Sequence, residues 1–240
     1  MNRLLSRIIN VNKKNSAEIR FWSEVLMDYI AWYDGNKSIL YGEKSPSTID
    51  KVIVSNKKDS AILTWEKIHQ QNKYLEDLNL DRTAFEGMRI LDIGSGPHPS
   101  ARVFNNVELY CLEPLLPYYL IAGYPLHYYD NVKFVVATAE NMPFSDYYFD
   151  AIISVNSLDH VNDFELVVSE IKRVLKKNGK IRMHLHYHSS TLEEPISLND
   201  EKVSKSFSWC REFKKIKESK VKRGTTLKGN NEKYVLWSNW

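Results

Sequence analysis

The sequence is poor in the features that mark secreted and membrane proteins. Its 240 residues include only two cysteines, Cys111 and Cys210, which are too few for a disulfide framework. No basic amino-terminal stretch is followed by an apolar core of the secretory type. The most apolar segment, residues 114–126 (PLLPYYLIAGYPL), is broken by proline and glycine and is shorter than the ~20 residues of a membrane span. We therefore expect a cytoplasmic protein that has no contact with the membrane.

A strong excess of one charge is also lacking. The net charge is +3, so charge alone does not indicate a polyanionic partner, and the 43% of hydrophobic residues are ample for a buried core. Residues 201–223 are the exception, with nine Lys or Arg against three Glu. This segment is either a solvated surface or a rim that attracts an anionic substrate.

Helical periodicity dominates residues 1–85. Apolar and aromatic residues recur at helical spacing after Ser16, and Gly35 can end that helix. A second helix is predicted over residues 60–78. We interpret the aromatic residues of this part as core, with the alternative that some of them, such as Tyr33, line the acceptor pocket. The pattern predicts an N-terminal helical cap over residues 1–85.

The hydrophobic pattern of the sequence changes from Met88 onward. Short apolar strands alternate with helical segments, which is typical of a mostly parallel sheet covered on both faces. The clearest helix follows Asp163, a good N-cap, and is expected to end at Gly179. Residues 233–240 predict a last strand, whereas the alternation in residues 211–222 is imperfect. We therefore predict an α/β domain over residues 86–240.

Two glycines at the end of a predicted strand give the first functional signal. Residues 89–100 read RILDIGSGPHPS, in which Gly94 and Gly96 let the backbone approach a ligand beyond the carboxyl end of the strand. Glu113 ends the next strand, 19 residues after Gly94, where a carboxylate accepts hydrogen bonds from ribose hydroxyls. Pro99 stands where a dinucleotide fold places a third glycine. The pattern indicates a nucleoside-bearing cofactor other than a dinucleotide.

Several stretches together resemble the class I S-adenosylmethionine-dependent methyltransferases, especially their small-molecule branch. ILDIGSGP is similar to the first motif of that family and LYCLEP to the second. ATAENMPFSDYYFDAIISVNSLDHVND and EIKRVLKKNGKIRM resemble the stretches that follow. The resemblance covers about residues 88–185. It implies a Rossmann-like, mostly parallel, seven-stranded sheet and S-adenosylmethionine as the cofactor.

The resemblance also implies a set of cofactor contacts. The glycine loop would surround the methionine part, and the acid after the second strand would hold the ribose. Residues after the third strand would border the adenine, and residues after the fourth would lie near the sulfonium. In chain order these residues are Asp92, Gly94, Gly96, Glu113, Ala139, Glu140, Asn156 and Ser157. Thr138 stands where many members carry an aspartate, which leaves the contact to the adenine amino group open.

Histidines supply the candidate chemistry. Methyl transfer needs alignment of the reacting atoms, and an oxygen acceptor can also need a base. His160, beside Asp159 after the fourth predicted strand, is the candidate base because imidazole titrates near neutral pH. The alternative is a structural histidine bonded to backbone. His98 follows the glycine loop and is a candidate for contact with the acceptor.

Three further histidines alternate along one predicted strand. His184, His186 and His188 share a face of that strand, and such a set can bind a metal ion. Because same-face neighbours stand apart along a strand, we expect no single site formed by all three, and no metal. We expect His184 inside the sheet, with His186 and His188 lining the acceptor pocket.

These observations predict transfer of a methyl group to a hydroxyl of a small polar acceptor. A sugar, a sugar phosphate or a nucleotide-linked sugar fits the polar residues and the basic segment. Five tyrosines between residues 118 and 129 either bind such an acceptor or form the interface of a homodimer. An RNA methyltransferase is the alternative enzyme, although no RNA-binding module is recognisable and we expect no nucleic-acid partner. The alternative to an enzyme is a non-catalytic interaction protein that binds S-adenosylmethionine.

Overall fold

The computed structural model describes residues 13–38, 49–220 and 232–240. Its strands are β1 Arg89–Ile93, β2 Glu108–Leu112, β3 Val132–Val135, β4 Phe149–Val155, β5 Leu175–Tyr187, β6 Lys214–Lys220 and β7 Lys233–Ser238. Its α-helices are α1 Lys13–Tyr33, α2 Lys57–Trp65, α3 Gln71–Leu78, α4 Leu116–Ala122, α5 Phe164–Val174 and α6 Asp200–Ser206. A π-helical turn, Glu66–Gln70, joins α2 to α3, and 3-10 turns occupy Ser100–Val103 and Leu126–Tyr128. The end of the predicted basic segment, 221–223, lies outside the described residues.

The strands form one seven-stranded sheet in the order β3-β2-β1-β4-β5-β7-β6. The first five strands of this order are parallel, and β7 runs antiparallel between β5 and β6. This arrangement confirms the predicted mostly parallel sheet of seven strands. The strand order reverses direction between β1 and β4, and such a switch point opens a crevice at the carboxyl ends of the strands.

The carboxyl ends of the three central strands lie level with one another. Ile93 at the end of β1 pairs with Leu112 of β2 on one side and with Ser154 of β4 on the other. The side chains of β1 and β2 after their first residues are buried, as expected for strands covered on both faces. The loops that leave β1, β2 and β4 therefore begin at the same edge of the sheet.

The helices that precede β1 fall into two groups. Tyr74 and Leu78 of α3, together with Phe85, share a core cluster with Ile90 and Ile153 of the sheet. Helix α1 instead packs on α2 and on the segment that contains α4. Residues 71–85 thus belong to the layer that packs directly on the sheet. Helix α1 belongs to the other group, outside this cluster. The predicted boundary at residue 85 crosses this shared cluster, and the division into a cap and a domain stays a prediction.

The end of α5 differs from the sequence prediction. Asp163 caps the helix as predicted, accepting hydrogen bonds from the backbone N–H groups of Glu165 at 3.0 Å and Leu166 at 3.1 Å. The helix ends at Val174, however, and not near Gly179. Leu175 turns to an extended conformation, pairs with Phe149 of β4 and is buried. Strand pairing therefore overrides the helical pattern of the last turn.

Two helices and one strand were not clear from sequence. Helix α4 lies inside the apolar segment, where a proline is tolerated in the first turn and Gly123, at φ 99°, ends the helix. Helix α6 starts after Asn199, whose side chain accepts from the backbone N–H of Lys202. The segment with imperfect alternation forms β6, and every residue of this strand is exposed. Within the described ranges no helix combines the length and apolar character needed to cross a bilayer.

Candidate active site

The loop after β1 has the backbone geometry that its glycines predict. Gly94 has φ 72° and Gly96 has φ 60°, both in the left-handed region that favours glycine. A Cβ on Gly94 would also collide with the side chain of Ser157. The Ser157 hydroxyl donates to the carbonyl of Ile93 at 2.7 Å, which ties the end of β4 to the end of β1. Ser157, predicted to lie near the sulfonium, therefore also holds the glycine loop in shape.

Glu113 connects the end of β2 to the same loop. Its Oε2 accepts from the backbone N–H of Gly96 at 3.1 Å, and its Oε1 accepts from that of Leu115 at 2.9 Å. Burial raises the pKa of Glu113 to about 7, although both N–H donors act to lower it. A buried carboxylate beside a glycine loop fits the ribose hydroxyls of S-adenosylmethionine, because hydroxyl donors can pair with its remaining lone pairs.

Asp92 lies behind the glycine loop and is fully buried in β1. The Tyr74 hydroxyl donates a short hydrogen bond to its Oδ1, while Oδ2 has no hydrogen-bond partner among the described residues. Burial raises the pKa of Asp92 to about 7. The side chain therefore links β1 to α3, and its contact with the methionine part of the cofactor stays a prediction.

The residues predicted to border the adenine occupy the loop after β3. Ala139 is buried, and Oε1 of Glu140 accepts from the backbone N–H groups of Asn162 at 2.7 Å and Asp163 at 3.3 Å. Glu140 thereby holds the start of α5 beside this loop. Asn156, just after β4, has φ 52°, and its Oδ1 is buried with no hydrogen-bond partner among the described residues. A ligand in the crevice can supply that partner.

His160 lies at the mouth of β4 with part of its imidazole accessible. Its Nδ1 is 3.8 Å from Oε2 of Glu18 on α1, and its Nε2 is 3.5 Å from Oε1 of Glu194 in the loop after β5. Its side chain is 27% exposed, enough for contact with a ligand. Its backbone N–H donates to the carbonyl of Ser157 at 3.1 Å. The arrangement offers an accessible base between two carboxylates.

Asp159 turns away from this opening into a buried group with two histidines. Its Oδ2 lies 3.2 Å from Nε2 of His188 and 3.7 Å from Nδ1 of His186. Burial acts to raise the pKa of Asp159, but the two imidazoles outweigh it and the pKa is lowered. Asp159 in turn raises the pKa of His188 to about 9, against the effect of burial. Glu194 completes the group, with Oε2 at 3.8 Å from Nδ1 of His188.

Two of the other predicted residues lie apart from this group. His98 is buried under α1, where its Nε2 is 3.1 Å from the Tyr29 hydroxyl, and burial lowers its pKa to about 3. Tyr33 lies at the far end of α1, fifteen residues beyond Glu18 and therefore roughly 22 Å along the helix. Contact of either side chain with the acceptor stays a prediction. The amphipathic pattern of α1 does not show which of its aromatic residues lies at which end of the crevice.

Trp22 is the aromatic residue of α1 that does reach the glycine loop. Its Cζ2 lies 3.5 Å from the position of a Cβ built on Gly96. Its Nε1 donates to Oε1 of Glu18 at 2.7 Å, and its carbonyl accepts from the Tyr124 hydroxyl at 2.8 Å. Sequence reasoning placed Trp22 in the core. Its position one helical turn after Glu18 makes it the cover of the loop.

Comparison with known proteins agrees with this geometry. Residues 91–183 match the family described as "Methyltransferase domain". The uncharacterized methyltransferase YcgJ of Bacillus subtilis is 31% identical over 117 residues, which cover 45% of this chain and 43% of the relative. The ubiquinone/menaquinone biosynthesis C-methyltransferase UbiE of Rickettsia prowazekii is 42% identical over 55 residues, which cover 23% of this chain and 22% of the relative. The matches thus span less than half of the length of these relatives.

The crystal structure of YcgJ superposes with a TM-score of 0.55 at 19% identity, covering 71% of this chain and 97% of that one. The shared fold, the matched family and the glycine loop beside the buried carboxylate of Glu113 fit S-adenosylmethionine as the cofactor. Residues 91–183 therefore match a methyltransferase domain, and the chain shares the fold of YcgJ.

Proposed function

We propose that the chain transfers a methyl group to a hydroxyl of a small polar acceptor, with His160 as the general base. The observation that supports this proposal is the partly exposed imidazole at the switch point, flanked by Glu18 and Glu194. A base that takes up a proton becomes cationic, and neighbouring carboxylates stabilise that cation. An acceptor hydroxyl that enters beside Asn156 comes within reach of this imidazole.

When bound, S-adenosylmethionine supplies an electrophilic methyl carbon on a sulfonium. In that transfer His160 would take up the proton that the acceptor hydroxyl loses. Glu113 and the glycine loop, joined by the Gly96 N–H bond, would hold the cofactor for this transfer. Trp22 covers the loop and excludes water from one side of it.

The proposed acceptor is a sugar, a sugar phosphate or a nucleotide-linked sugar. Its support is the polar character of the opening, which an imidazole, two carboxylates and an amide border. A carbon acceptor is the second candidate, because relatives such as UbiE of Rickettsia prowazekii are named C-methyltransferases. Carbon-13-labelled methyl groups distinguish the two candidates, since oxygen-bound and carbon-bound methyl carbons have different chemical shifts.

His160→Gln tests the base, since glutamine keeps polar contacts but cannot accept the proton. We expect turnover to fall about 10²–10⁴-fold, the usual contribution of a positioned base. Affinity for S-adenosylhomocysteine and the melting temperature should stay near wild type, because the cofactor is held by other loops. His127→Gln is the control, since His127 is exposed on the Leu126–Tyr128 turn. A folded His160→Gln enzyme with near-normal turnover would remove the base from the mechanism.

A further inference from the structure

Four side chains around Asp159 form a second candidate site. Asp159, His186, His188 and Glu194 each offer one ligand atom, and these atoms all lie within 4.8 Å of one another. The first three side chains are buried, and Glu194 is largely so. They come from the loop after β4, from β5 and from the loop after β5. Two separate chain segments, the loop after β4 and residues 186–194, therefore present ligands to one point.

Buried polar atoms of this group lack hydrogen-bond partners. Both ring nitrogens of His186, Oδ1 of Asp159 and Oε2 of Glu194 have none within the described part of the chain. Native proteins pair nearly all of their buried polar atoms, because an unpaired one loses its bonds to water without replacement. The two ring nitrogens of His186 point to opposite sides, so one ligand can satisfy one of them together with the unpaired carboxylate oxygens of Asp159 and Glu194.

The hydrogen bonding of His188 shows the kind of ligand. Its Nδ1 lies 2.7 Å from the carbonyl oxygen of Ser189, which can only accept, so Nδ1 carries a hydrogen. The opposite nitrogen, Nε2, faces Oδ2 of Asp159 at 3.2 Å, and in the metal-free protein the two atoms share a proton that a bound metal ion would displace, leaving the Nε2 lone pair for the ion. A cation between these two atoms satisfies both. A ring N–H bound to a backbone carbonyl is also the usual way in which metal-binding histidines are oriented.

The composition of the group fixes the class of cation. Two carboxylates and two neutral imidazoles carry a charge of −2, which a divalent ion balances. The rings of His186 and His188 lie 4.6 Å apart, and the other nitrogen of His186 faces Oε2 of Glu232 at 3.7 Å. Mixed imidazole and carboxylate ligands suit transition ions such as Zn²⁺, whereas Mg²⁺ and Ca²⁺ prefer oxygen alone.

We propose that Asp159, His186, His188 and Glu194 bind a divalent transition-metal ion, with Zn²⁺ as the best match. The ion joins the loop after β4 to the loop after β5, which is already held there by the bond from the Ile196 N–H to the Asp159 carbonyl at 3.1 Å. Because Glu194 also faces His160, the ion borders the acceptor opening. This inference does not depend on which acceptor is methylated or on His160 acting as a base.

The test is calorimetric titration of the full chain, stripped with a chelator and dialysed, with Zn²⁺, Mn²⁺ and Mg²⁺. We expect one equivalent of Zn²⁺ per chain, a higher melting temperature with Zn²⁺, and much weaker binding of Mg²⁺. Glu194→Gln and His186→Gln should each weaken Zn²⁺ binding at least 10-fold. His184→Gln is the matched control, because His184 lies on the same face of β5 but faces Asp77 at 3.9 Å.

Affinity for S-adenosylhomocysteine, measured on the same samples, separates loss of the ion from loss of the fold. Variants that keep this affinity but lose Zn²⁺ support the site, whether or not the enzyme methylates a hydroxyl. Absence of stoichiometric Zn²⁺ binding by the wild type would overturn the proposal. Equal loss of Zn²⁺ in His184→Gln and His186→Gln would overturn it as well.

Discussion

Two buried carboxylates, Asp92 and Glu113, control the electrostatics behind the glycine loop. Burial raises the pKa of each to about 7, and the charge of Glu113 adds to the shift of Asp92. Both groups therefore change protonation near neutral pH in the cofactor-free protein. Hydroxyl donors favour the charged form of Glu113, whereas Asp92 is shielded from the crevice by its own burial.

Asp92→Asn should change how stability depends on pH. Asp92 has a folded-state pKa of about 7, against about 4 when unfolded. Between these values the folded protein holds a proton that the unfolded chain has lost. The free energy of unfolding therefore falls as pH rises through this window, by up to about 1.4 kcal/mol per pH unit. Asparagine does not titrate, so the variant should gain stability relative to wild type from about pH 4 to pH 7.

Denaturant unfolding of the cofactor-free proteins at several pH values in this window measures the difference. Asp150→Asn on β4 is the control, because the Asp150 pKa is lowered by Lys176 despite burial and its titration lies below the window. Parallel stability curves for wild type and Asp92→Asn would show that Asp92 stays charged in the folded protein.

Helix α1 is the element that covers the glycine loop. It is anchored by the Tyr124 hydroxyl on the carbonyl of Trp22, and its apolar side joins the core cluster of α2 and α4. Glu18 and Trp22, one turn apart, face the crevice, while later residues of the helix lie in the core. One helix thus provides both a cover for the glycine loop and a carboxylate beside His160.

Trp22→Ala should weaken cofactor binding and lower stability together. The substitution removes a partly buried indole that packs against His98 and Tyr124, at a cost of about 2–3 kcal/mol. It also leaves the loop at Gly96 without its cover, so affinity for S-adenosylhomocysteine should fall. Phe21→Ala is the control, because Phe21 is the neighbour of Trp22 in sequence and is 36% exposed. Calorimetry and thermal melts give both quantities. Unchanged affinity in Trp22→Ala would mean that α1 does not border the cofactor.

The central elements of the sheet could be predicted because their signals are local. β1, β2 and β4 are short apolar runs, and the glycines and Glu113 stand directly after β1 and β2. The end of α5 and the exposed strand β6 could not be predicted in this way. Leu175 leaves the helix to pair with Phe149, and β6 exists because β7 supplies its backbone partners. Those pairings are tertiary, and the local pattern does not contain them.

The three histidines of β5 and its end show the same limit of prediction from the local sequence. Strand geometry correctly predicts that His184 stands apart from the others, since it stacks on Tyr234 and faces Asp77. It does not predict that His186 and His188 converge on Asp159, because side chains several ångströms long can close the gap of ~7 Å between same-face positions. Glu194 lies in an irregular loop, where no periodicity marks it.

At the scale of the whole molecule, β6, the strand within the basic segment, lies far from the crevice. In the sheet order, β6 is three strands away from β4, roughly 14 Å at the usual strand spacing. All of its side chains are exposed, and its lysines pair with nearby acids such as Asp200 and Glu218. A charged edge strand resists pairing with another copy of the sheet. The described part of the basic segment thus fits a solvated edge better than a substrate rim.

Cofactor binding should stabilise the whole molecule, because the proposed site joins the glycine loop, the end of β2 and α1. A ligand at 100 times its dissociation constant adds about 2.7 kcal/mol to the free energy of unfolding. For a chain of this length each kcal/mol raises the melting temperature by about 2–4 °C. We therefore expect S-adenosylhomocysteine to raise the melting temperature of the wild type by roughly 5–10 °C, and NAD to leave it unchanged.

Glu113→Ala should remove most of this increase. The substitution deletes the acceptor for the ribose hydroxyls, a charge-assisted interaction of about 1.5–3 kcal/mol, which lowers affinity by roughly 10–150-fold. At the same ligand concentration the increase should then fall to half or less. Glu108→Ala is the matched control, because Glu108 lies at the opposite end of β2, paired with Arg89 and Lys133, and should keep the full increase. A full increase in Glu113→Ala, or a comparable one with NAD, would contradict the assignment of Glu113 to the ribose.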